Sequence, residues 1–344
     1  MTESQTNALL YPFPVAPQPG ELLHLTGGVH WLRMPLPFAL DHINLWALED
    51  AAGWTLVDTG IDAVGTRELW LQLLQGPLAG KPVLRIVVTH FHPDHIGVAG
   101  WLAETLRVPL WMTPLEWQTA NEIRALTVAE LTERTTRRYA AAGTDRPVPA
   151  QETGMNLYAA HVTPLPADFT ELDAGDVFGA GGVEWQVVIG QGHSPQLAAL
   201  HSAELDVLIS GDQVLPRISS HVGVPASRPE QDSLSQYMNS LTALRELPAD
   251  TLVLPSHGLP FRGLHTRIDQ LIAHHHERLA LTLVTCRTAS TVAEVTAALF
   301  PRRLDAIQFG FALDETLAHL NRLVRTGEIA RRTSSNGVDF YQTI

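Results

Sequence analysis

The chain has 344 residues, of which 45% are hydrophobic and 17% are charged, so it can bury a core larger than that of an average single domain. Its formal net charge of −13 argues against non-specific binding to nucleic acid or anionic membrane, because the long-range field repels polyanions. The single cysteine, Cys286, excludes an intrachain disulfide and a thiolate metal cluster. Any bound metal must therefore be held by imidazole and carboxylate groups.

The N-terminal segment has none of the features of a secretory signal. Met1–Thr6 contains no lysine or arginine, and the proline-punctuated segment Tyr11–Pro19 follows it in place of a long apolar run. No apolar stretch in the sequence approaches the length needed to span a bilayer. We therefore expect a cytoplasmic protein with no membrane partner.

The region up to residue 112 predicts short strands interrupted by two helices. Helices are expected over 63–74 and 97–106, where the apolar positions have helical spacing. Strands are expected where the residues are apolar or alternate in polarity, at Val29–Leu32, Asn44–Leu48, Trp54–Asp58, Val83–Val88 and Pro109–Met112.

The segment 114–168 is predicted to be an excursion from the sheet that covers the site as a helical lid. Its first part, Pro114–Tyr139, has a helical pattern, and 140–168 is rich in glycine and proline. Strands resume at Val183–Ile189, Ala198–Ser202, Val207–Ser210 and Thr251–Leu254. Helices are expected over 234–247 and 265–284, and the triplet His274–His276 in the second helix is interpreted as solvated surface.

The last segment predicts a small winged-helix unit. Ser290 is the expected cap of a short helix to Leu299, a second helix covers Leu313–Thr326, and strands follow at 329–332 and 338–341. We therefore divide the chain into a catalytic domain at 1–280 and a winged-helix domain at 281–344. Residues 279–344 carry 7 Arg and 6 Asp+Glu, a small net charge that favours docking or homodimerisation over nucleic-acid binding.

The densest group of metal-type side chains directly follows the strand Val83–Val88, in the sequence Thr-His-Phe-His-Pro-Asp-His. Residues two apart in an extended loop project to the same side, so His90 and His92 can bind one ion. Asp94 and His95 fall where the chain turns into a helix, and they can face a second ion. Imidazole and carboxylate are ligands that zinc accepts. The pattern therefore predicts a metal site rather than a polar loop that only packs.

Three later strands each end in a metal-type residue beside a glycine. These residues are His193, Asp212 and His257, next to Gly192, Gly211 and Gly258. One such residue alone is more often a surface or packing residue. Three of them repeat the way in which a sheet protein builds a site along one rim, and the glycines allow the backbone to turn sharply.

These residues carry a resemblance to a known family that covers roughly residues 20–280. The sequence resembles dinuclear metallo-β-lactamase superfamily hydrolases of the glyoxalase II type, and it is most similar to the beta-lactamase-like subgroup with a C-terminal winged helix. The resemblance implies an α/β fold, a four-layer αββα sandwich, and seven metal ligands matched in chain order by His90, His92, Asp94, His95, His193, Asp212 and His257.

The resemblance also implies a role for each ligand. His90, His92 and His193 would hold the first ion, and Asp212 would bridge the two ions. The second ion would be held by Asp94, His95 and His257. Asp58, in the sequence Val-Asp-Thr-Gly, matches an Asp-x-Gly motif of the family. The aspartate of that motif supports the loop that carries the first four ligands without binding an ion itself.

The expected function is that of a metal-dependent hydrolase with two divalent ions, with zinc as first choice and iron or manganese as alternatives. A metal-bridged hydroxide would attack the substrate, and Asp94 would be the catalytic residue that orients the water and takes its proton. The first choice of substrate is a small ester, thioester or lactone, because the acidic catalytic domain repels polyanions. Five residues of the excursion either line such a pocket or pack between lid and core: Leu126, Val128, Leu131, Leu157 and Tyr158.

Two other functions remain open. RNA phosphodiester hydrolysis is the runner-up, and the arginines that favour it are Arg302, Arg303, Arg322, Arg325, Arg331 and Arg332. The third hypothesis is a non-catalytic sensor or interaction protein on the same fold. The complete ligand set argues against it, because an inactive descendant need not keep all seven residues.

Overall fold

The computed structural model describes residues 8–148 and 154–344. The sequence-based interpretation of Met1–Thr6 and the centre of the predicted loop at 140–168 lie outside the described residues. Over the described parts, no helix is both long enough and apolar enough to cross a bilayer.

Two mixed sheets form the centre of the protein. The first has seven strands in chain order, with β4, β5, β6 and β7 parallel to one another: β1 (Leu23–Thr26), β2 (Val29–Pro35), β3 (His42–Glu49), β4 (Trp54–Val57), β5 (Val83–Val87), β6 (Leu110–Met112) and β7 (Thr170–Glu171). The second consists of β8 (Val177–Ala180), β9 (Val183–Gly190), β10 (Leu197–Ser202), β11 (Val207–Gly211) and β12 (Leu252–Pro255), in the order β12-β11-β10-β9-β8.

Helices cover the outer face of each sheet. The helices described in the first half of the chain are α1 (Thr66–Gln75), α2 (Pro93–Ile96), α3 (Ala99–Leu106), α4 (Pro114–Ala125), α5 (Val128–Ala141) and α6 (Leu157–His161). They lie on the first sheet with the exception of α5, whose Tyr139 packs in the core of the second sheet and the C-terminal segment. Those that follow the second sheet are α7 (Ser233–Ala243) with a 3₁₀ turn at Leu244–Glu246, α8 (Leu264–Thr285), α9 (Val292–Leu299) and α10 (Ala306–Arg325).

The layers follow from strands that are apolar on both faces. In β3, Leu45 and Ala47 pack toward the helices, while the alternate residues Trp46 and Leu48 pack against the second sheet. Trp46 stacks on Trp31 of β2, with ring centroids 6.1 Å apart, in the core between the sheets. The result is the predicted αββα sandwich, which the structure confirms.

The C-terminal segment contains two helices and a small sheet of β13 (Ser290–Thr291), β14 (Ile329–Thr333) and β15 (Asp339–Thr343), in the order β13-β15-β14. Its helix α10 contributes Leu313 to the core that also contains Leu208 and Val253 of the second sheet. Helix α8 runs without a break past residue 280. The domain boundary at 280/281 and the winged-helix assignment stay predictions.

Two predicted helix starts in this segment were wrong. The cap of α9 is Thr291 and not Ser290, because Thr291 Oγ1 accepts from the Glu294 amide at 3.2 Å and the Glu294 carboxylate accepts from the Thr291 amide at 2.7 Å. Helix α10 begins at Ala306 and not at Leu313, since the Asp305 side chain caps it.

The interpretation of His274–His276 as solvated surface was also wrong for one member. His275 is fully buried, lies 3.4 Å from His319 Nε2 through its Nδ1 atom, and has its ring against Tyr237. Helix α8 is covered by α10 on this face, so a polar residue at a helical core position faces another polar residue rather than water.

Candidate metal centre

The loop after β5 and the short helix that follows it carry four metal-type side chains, those of His90, His92, Asp94 and His95. His92 precedes the short helix α2, which begins with Pro93 and holds Asp94 and His95 in its first turn. Proline suits the first helical position, because its fixed φ matches the helix and its missing N–H would have had no partner there. The chain therefore turns sharply after His92, and the ligands on either side of the turn face the same space.

The remaining three residues reach the loop from the second sheet. Strands β9 and β11 are both antiparallel to β10, and β11 is parallel to β12, so these three strands end at one edge. His193, Asp212 and His257 follow those ends. The edge meets the β5 loop directly, since the Ala198 amide donates to the Thr89 carbonyl at 2.9 Å.

Glycine is required where two of these strands turn toward the site. Gly192 has φ +94°, and a Cβ there would lie 2.4 Å from the Ser233 carbonyl oxygen. Gly211 has φ +52°, a left-handed conformation that L side chains rarely adopt. The sharp turns expected from the sequence are therefore present beside His193 and Asp212.

The seven side chains form two neighbouring groups of potential ligands. His90, His92, His193 and Asp212 make one group, and Asp94, His95 and His257 make the other, with the ligand atoms of each group within 4.8 Å of one another. Asp212 connects the two groups. Its Oδ2 lies 3.5 Å from His193 Nε2, and its Oδ1 lies 3.5 Å from the Nε2 atoms of His95 and His257.

Hydrogen bonds to carbonyl oxygens fix the protonation of two of these rings. His193 Nδ1 lies 2.8 Å from the His221 carbonyl, and His257 Nδ1 lies 2.9 Å from the His42 carbonyl. A carbonyl oxygen only accepts, so each Nδ1 carries a hydrogen and Nε2 is the nitrogen left to bind an ion. These are the atoms that point into the group, as metal ligation requires.

The ring nitrogens of the first group converge on one point, an arrangement that suits a cation. His193 Nε2 lies 3.1 Å from His90 Nε2, which in turn lies 3.0 Å from His92 Nδ1. Burial, together with the other rings, lowers the pKa of His90 and of His92 well below the usual value, so these imidazoles are neutral. A cation among these nitrogens would take the place of the N···N contacts and would be ligated by all three rings.

The second group also suits a cation, through its carboxylates. Burial lowers the pKa of His257, but Asp212 and Asp94 outweigh that effect and raise it to about 10. The Nε2 atom of His95 and the Oδ1 atom of Asp212 are buried and have no hydrogen-bond partner among the described residues. A divalent cation would satisfy both atoms, so the donor set fits the metal that the sequence predicts.

Asp58 lies behind the metal loop and holds it at three points. Its Oδ1 accepts from the Thr89 amide at 2.7 Å, and its Oδ2 accepts from Thr89 Oγ1 at 2.8 Å and from His95 Nδ1 at 2.7 Å. The last contact keeps the proton of His95 on Nδ1 and leaves Nε2 for an ion. Asp58 itself adopts φ +60°, at the end of β4.

Four residues around the site carry contacts that the sequence analysis did not assign. Glu116 of α4 is fully buried and bonds to two ligand loops, and Tyr158 of α6 bonds to the loop between His90 and His92. His221 and His42 hold ligand rings through their carbonyl oxygens. None of them lies in a motif, and a backbone carbonyl that accepts a hydrogen bond has no sequence signature.

The comparisons with known proteins agree with this architecture. A family model described as Metallo-beta-lactamase superfamily matches residues 39–257, and one described as Metallo-beta-lactamase-like, C-terminal domain matches residues 279–344. Among curated proteins, "Probable metallo-hydrolase YqjP" of Bacillus subtilis (strain 168) is 24% identical over 318 residues, which cover 90% of this chain and 96% of the relative.

Two solved structures are similar along nearly the whole chain. A beta-lactamase domain protein from Burkholderia ambifaria is 42% identical with a TM-score of 0.90, over 99% of this chain and 100% of that chain. A metallo-beta-lactamase family protein from Thermus thermophilus is 28% identical with a TM-score of 0.79, over 93% of this chain and 100% of that chain. Together with the sandwich and its His/Asp cluster, these matches show that the chain belongs to the metallo-beta-lactamase superfamily, whose members are generally hydrolases.

Proposed function

We propose that the protein is a dinuclear metal-dependent hydrolase that acts on a small ester, thioester or lactone. The observation that carries the proposal is the convergence of seven histidine and aspartate side chains in two adjoining groups that share Asp212. His90, His92 and His193 would hold one ion, and Asp94, His95 and His257 would hold the other. Zinc is the first choice, since imidazole and carboxylate suit it, and iron and manganese accept the same ligands.

When bound, the two cations would lower the pKa of a water molecule and polarise the bond to be cut. Asp94 is the residue of this chain best placed to handle the attacking water. Its Oδ2 lies 3.3 Å from His257 Nε2, and its side chain remains 21% exposed, whereas that of Asp212 is 11% exposed. Burial raises the pKa of Asp94, but His95 and His257 outweigh that effect and lower it to about 2. The carboxylate is therefore ionised at neutral pH and can accept a hydrogen bond that orients the water.

The contacts of the C-terminal arginines favour a small substrate over RNA. Six arginines would form the basic surface. Three of them contact residues 230–235 at the start of α7, and Arg302 bonds to Gln308. Carboxylates partly neutralise Arg325 and Arg331, and the other two guanidiniums are held against neutral side chains, so less of this charge is free to bind phosphates. The three pairs are Arg322 with Ser235, Arg325 with Asp232, and Arg331 with Glu230.

Metal analysis coupled to a hydrolysis panel tests the proposal. The purified protein should contain two equivalents of metal and hydrolyse at least one thioester, lactone or simple ester. Asp94→Asn and Asp212→Asn should lose turnover, and Asp212→Asn should also lose metal, while the exposed Asp168→Asn serves as the matched control. Full activity in a variant that holds no metal would refute the mechanism.

The same panel separates the alternatives. Cleavage of RNA, with binding that weakens steeply as salt rises, would instead support phosphodiester hydrolysis. A protein that binds two ions but hydrolyses nothing on the panel would favour the non-catalytic sensor.

A further inference from the structure

We infer that Glu116 and Tyr158 are positioning residues that together hold the Phe91 peptide and thereby set the spacing of the metal ligands His90 and His92. The inference rests on the proposed metal function. It assigns to the 114–168 excursion a role beyond that of a lid, because α4 carries Glu116 and α6 carries Tyr158.

Glu116 bonds to both loops that carry the histidines of the first group. Its Oε2 accepts from the Phe91 amide at 3.0 Å, and its Oε1 accepts from Ser194 Oγ and from the Gln196 amide, both at 2.6 Å. Phe91 lies between His90 and His92, and Ser194 directly follows His193. One carboxylate therefore connects loops that are about a hundred residues apart in the chain.

Tyr158 holds the other side of the same residue. Its hydroxyl donates to the Phe91 carbonyl at 2.6 Å, and its ring lies against that of Phe91 with centroids 6.1 Å apart. Side chains from two different helices thus satisfy both the N–H and the C=O of Phe91. A rotation of either flanking peptide would break one of these bonds, so the orientation of Phe91 is fixed.

The spacing of the ligands makes this restraint useful. His90 Nε2 and His92 Nδ1 lie only 3.0 Å apart, so the two rings can share one ion only while the chain between them keeps this conformation. A restraint on the residue between them keeps the two rings together before an ion arrives, and it lowers the reorganisation that binding requires.

The chemistry of Glu116 supports a positioning role rather than a packing role. A carboxylate is costly to bury, and the three hydrogen bonds to Glu116 come from two amides and a hydroxyl rather than from a lysine or arginine. All three groups are donors, so the residue must offer acceptors on both oxygens. Glutamine has the same shape but only one acceptor oxygen, and its NH₂ group would face a donor on one side.

Zinc binding by the apo-protein tests the inference without relying on activity. We compare Glu116→Gln and Tyr158→Phe with the wild type, and use Glu122→Gln on the exposed face of α4 and Tyr139→Phe on α5 as matched controls. Competition of Zn²⁺ with a chromophoric chelator gives the affinity of each site, and the folded fraction is measured by circular dichroism in the same samples. Glu116→Gln should weaken one of the two sites by about 10–100-fold, and Tyr158→Phe should weaken the same site by a smaller factor.

The outcomes distinguish a failure of the proposed metal function from a failure of the positioning role. If the wild type binds no Zn²⁺, both the proposed function and this inference are overturned. If the wild type binds two ions and folded Glu116→Gln and Tyr158→Phe bind them with unchanged affinity, only the positioning role is overturned. If Glu116→Gln does not fold, Tyr158→Phe decides alone, because it removes one hydroxyl and leaves the ring in place.

Discussion

Replacing Asp58 with asparagine should weaken metal binding although Asp58 is not one of the seven proposed ligands. The Asp58 carboxylate accepts three hydrogen bonds, two from Thr89 and one from His95 Nδ1. Asparagine keeps one acceptor oxygen, which can still serve the Thr89 amide. Its NH₂ group then faces His95 Nδ1, and a hydrogen bond between them requires a lone pair on that nitrogen. The ring would respond by moving its proton to Nε2, the atom that the ion needs.

The size of the effect follows from the role of such partners in metal sites. Removing the residue that orients a ligating histidine typically costs 10–100-fold in metal affinity, which corresponds to about 1.4–2.7 kcal/mol. The group of Asp94, His95 and His257 should be the more affected, because His95 belongs to it. The other group should keep most of its affinity, since His193 is oriented by the His221 carbonyl and not by Asp58.

Stepwise Zn²⁺ titration of the apo-protein against a chromophoric chelator measures both sites. Asp62→Asn is the matched control, because Asp62 lies four residues along the chain and its carboxylate pairs with Arg67 at 2.7 Å, outside the metal site. The expected result is one weakened site in Asp58→Asn and two unchanged sites in the control. Two sites of wild-type affinity in Asp58→Asn would refute the argument that Asp58 sets the tautomer of His95.

Three further predictions concern stability. Gly192→Ala should destabilise the fold by about 1–3 kcal/mol in urea denaturation, because φ is +94° and the new Cβ would lie 2.4 Å from the Ser233 carbonyl; an unchanged midpoint would contradict this. Thr291→Ala should cost about 0.5–2 kcal/mol by removing the cap of α9, while Thr291→Ser should retain most of it, and equal losses in both would exclude the cap as the cause. Burial raises the pKa of Glu315 to about 7. The guanidinium of Arg278 in α8, 4.0 Å away, lowers this pKa but does not offset the effect of burial. Between pH 4.5 and 7 the folded protein therefore holds a proton on Glu315 that the unfolded chain has lost, so the free energy of unfolding should fall as pH rises through this range. Glu315→Gln should make the free energy of unfolding less dependent on pH in this range. An unchanged dependence would contradict the assignment to Glu315.

The convergence of the seven candidate ligands was the most predictable part of the molecule. His90, His92, Asp94 and His95 lie within six residues, so their proximity required only a loop and a helix start. His193, Asp212 and His257 could be added because each follows a strand whose end is marked by glycine, and parallel strands of one sheet end at the same edge. The sandwich was implied by the resemblance to a known family, and strands such as β3, which is buried on both faces, agree with it.

The groups that support the ligands could not be found in the same way. Glu116 lies in the first turn of α4, where an acidic residue is ordinary because it complements the helix dipole. His275 is a polar residue of a type usually found at the surface. Its burial depends on α10, whose His319 lies 44 residues further along the chain. Such contacts arise only when distant elements pack together, and a local pattern contains no information about them.

The supporting contacts share a feature that bears on how the site works. Three ligand rings are held by groups from outside their own loops: His95 by Asp58 of the first sheet, His193 by the carbonyl of His221, and His257 by the carbonyl of His42. The orientation of these nitrogens is therefore determined by the packed sandwich and not by the ion. A site built in this way would bind ions at little cost of reorganisation, and Asp212 lies between the two groups of candidate ligands. This arrangement is what two-metal hydrolysis needs, because the water and the bond to be cut must be held by adjacent cations at a fixed separation.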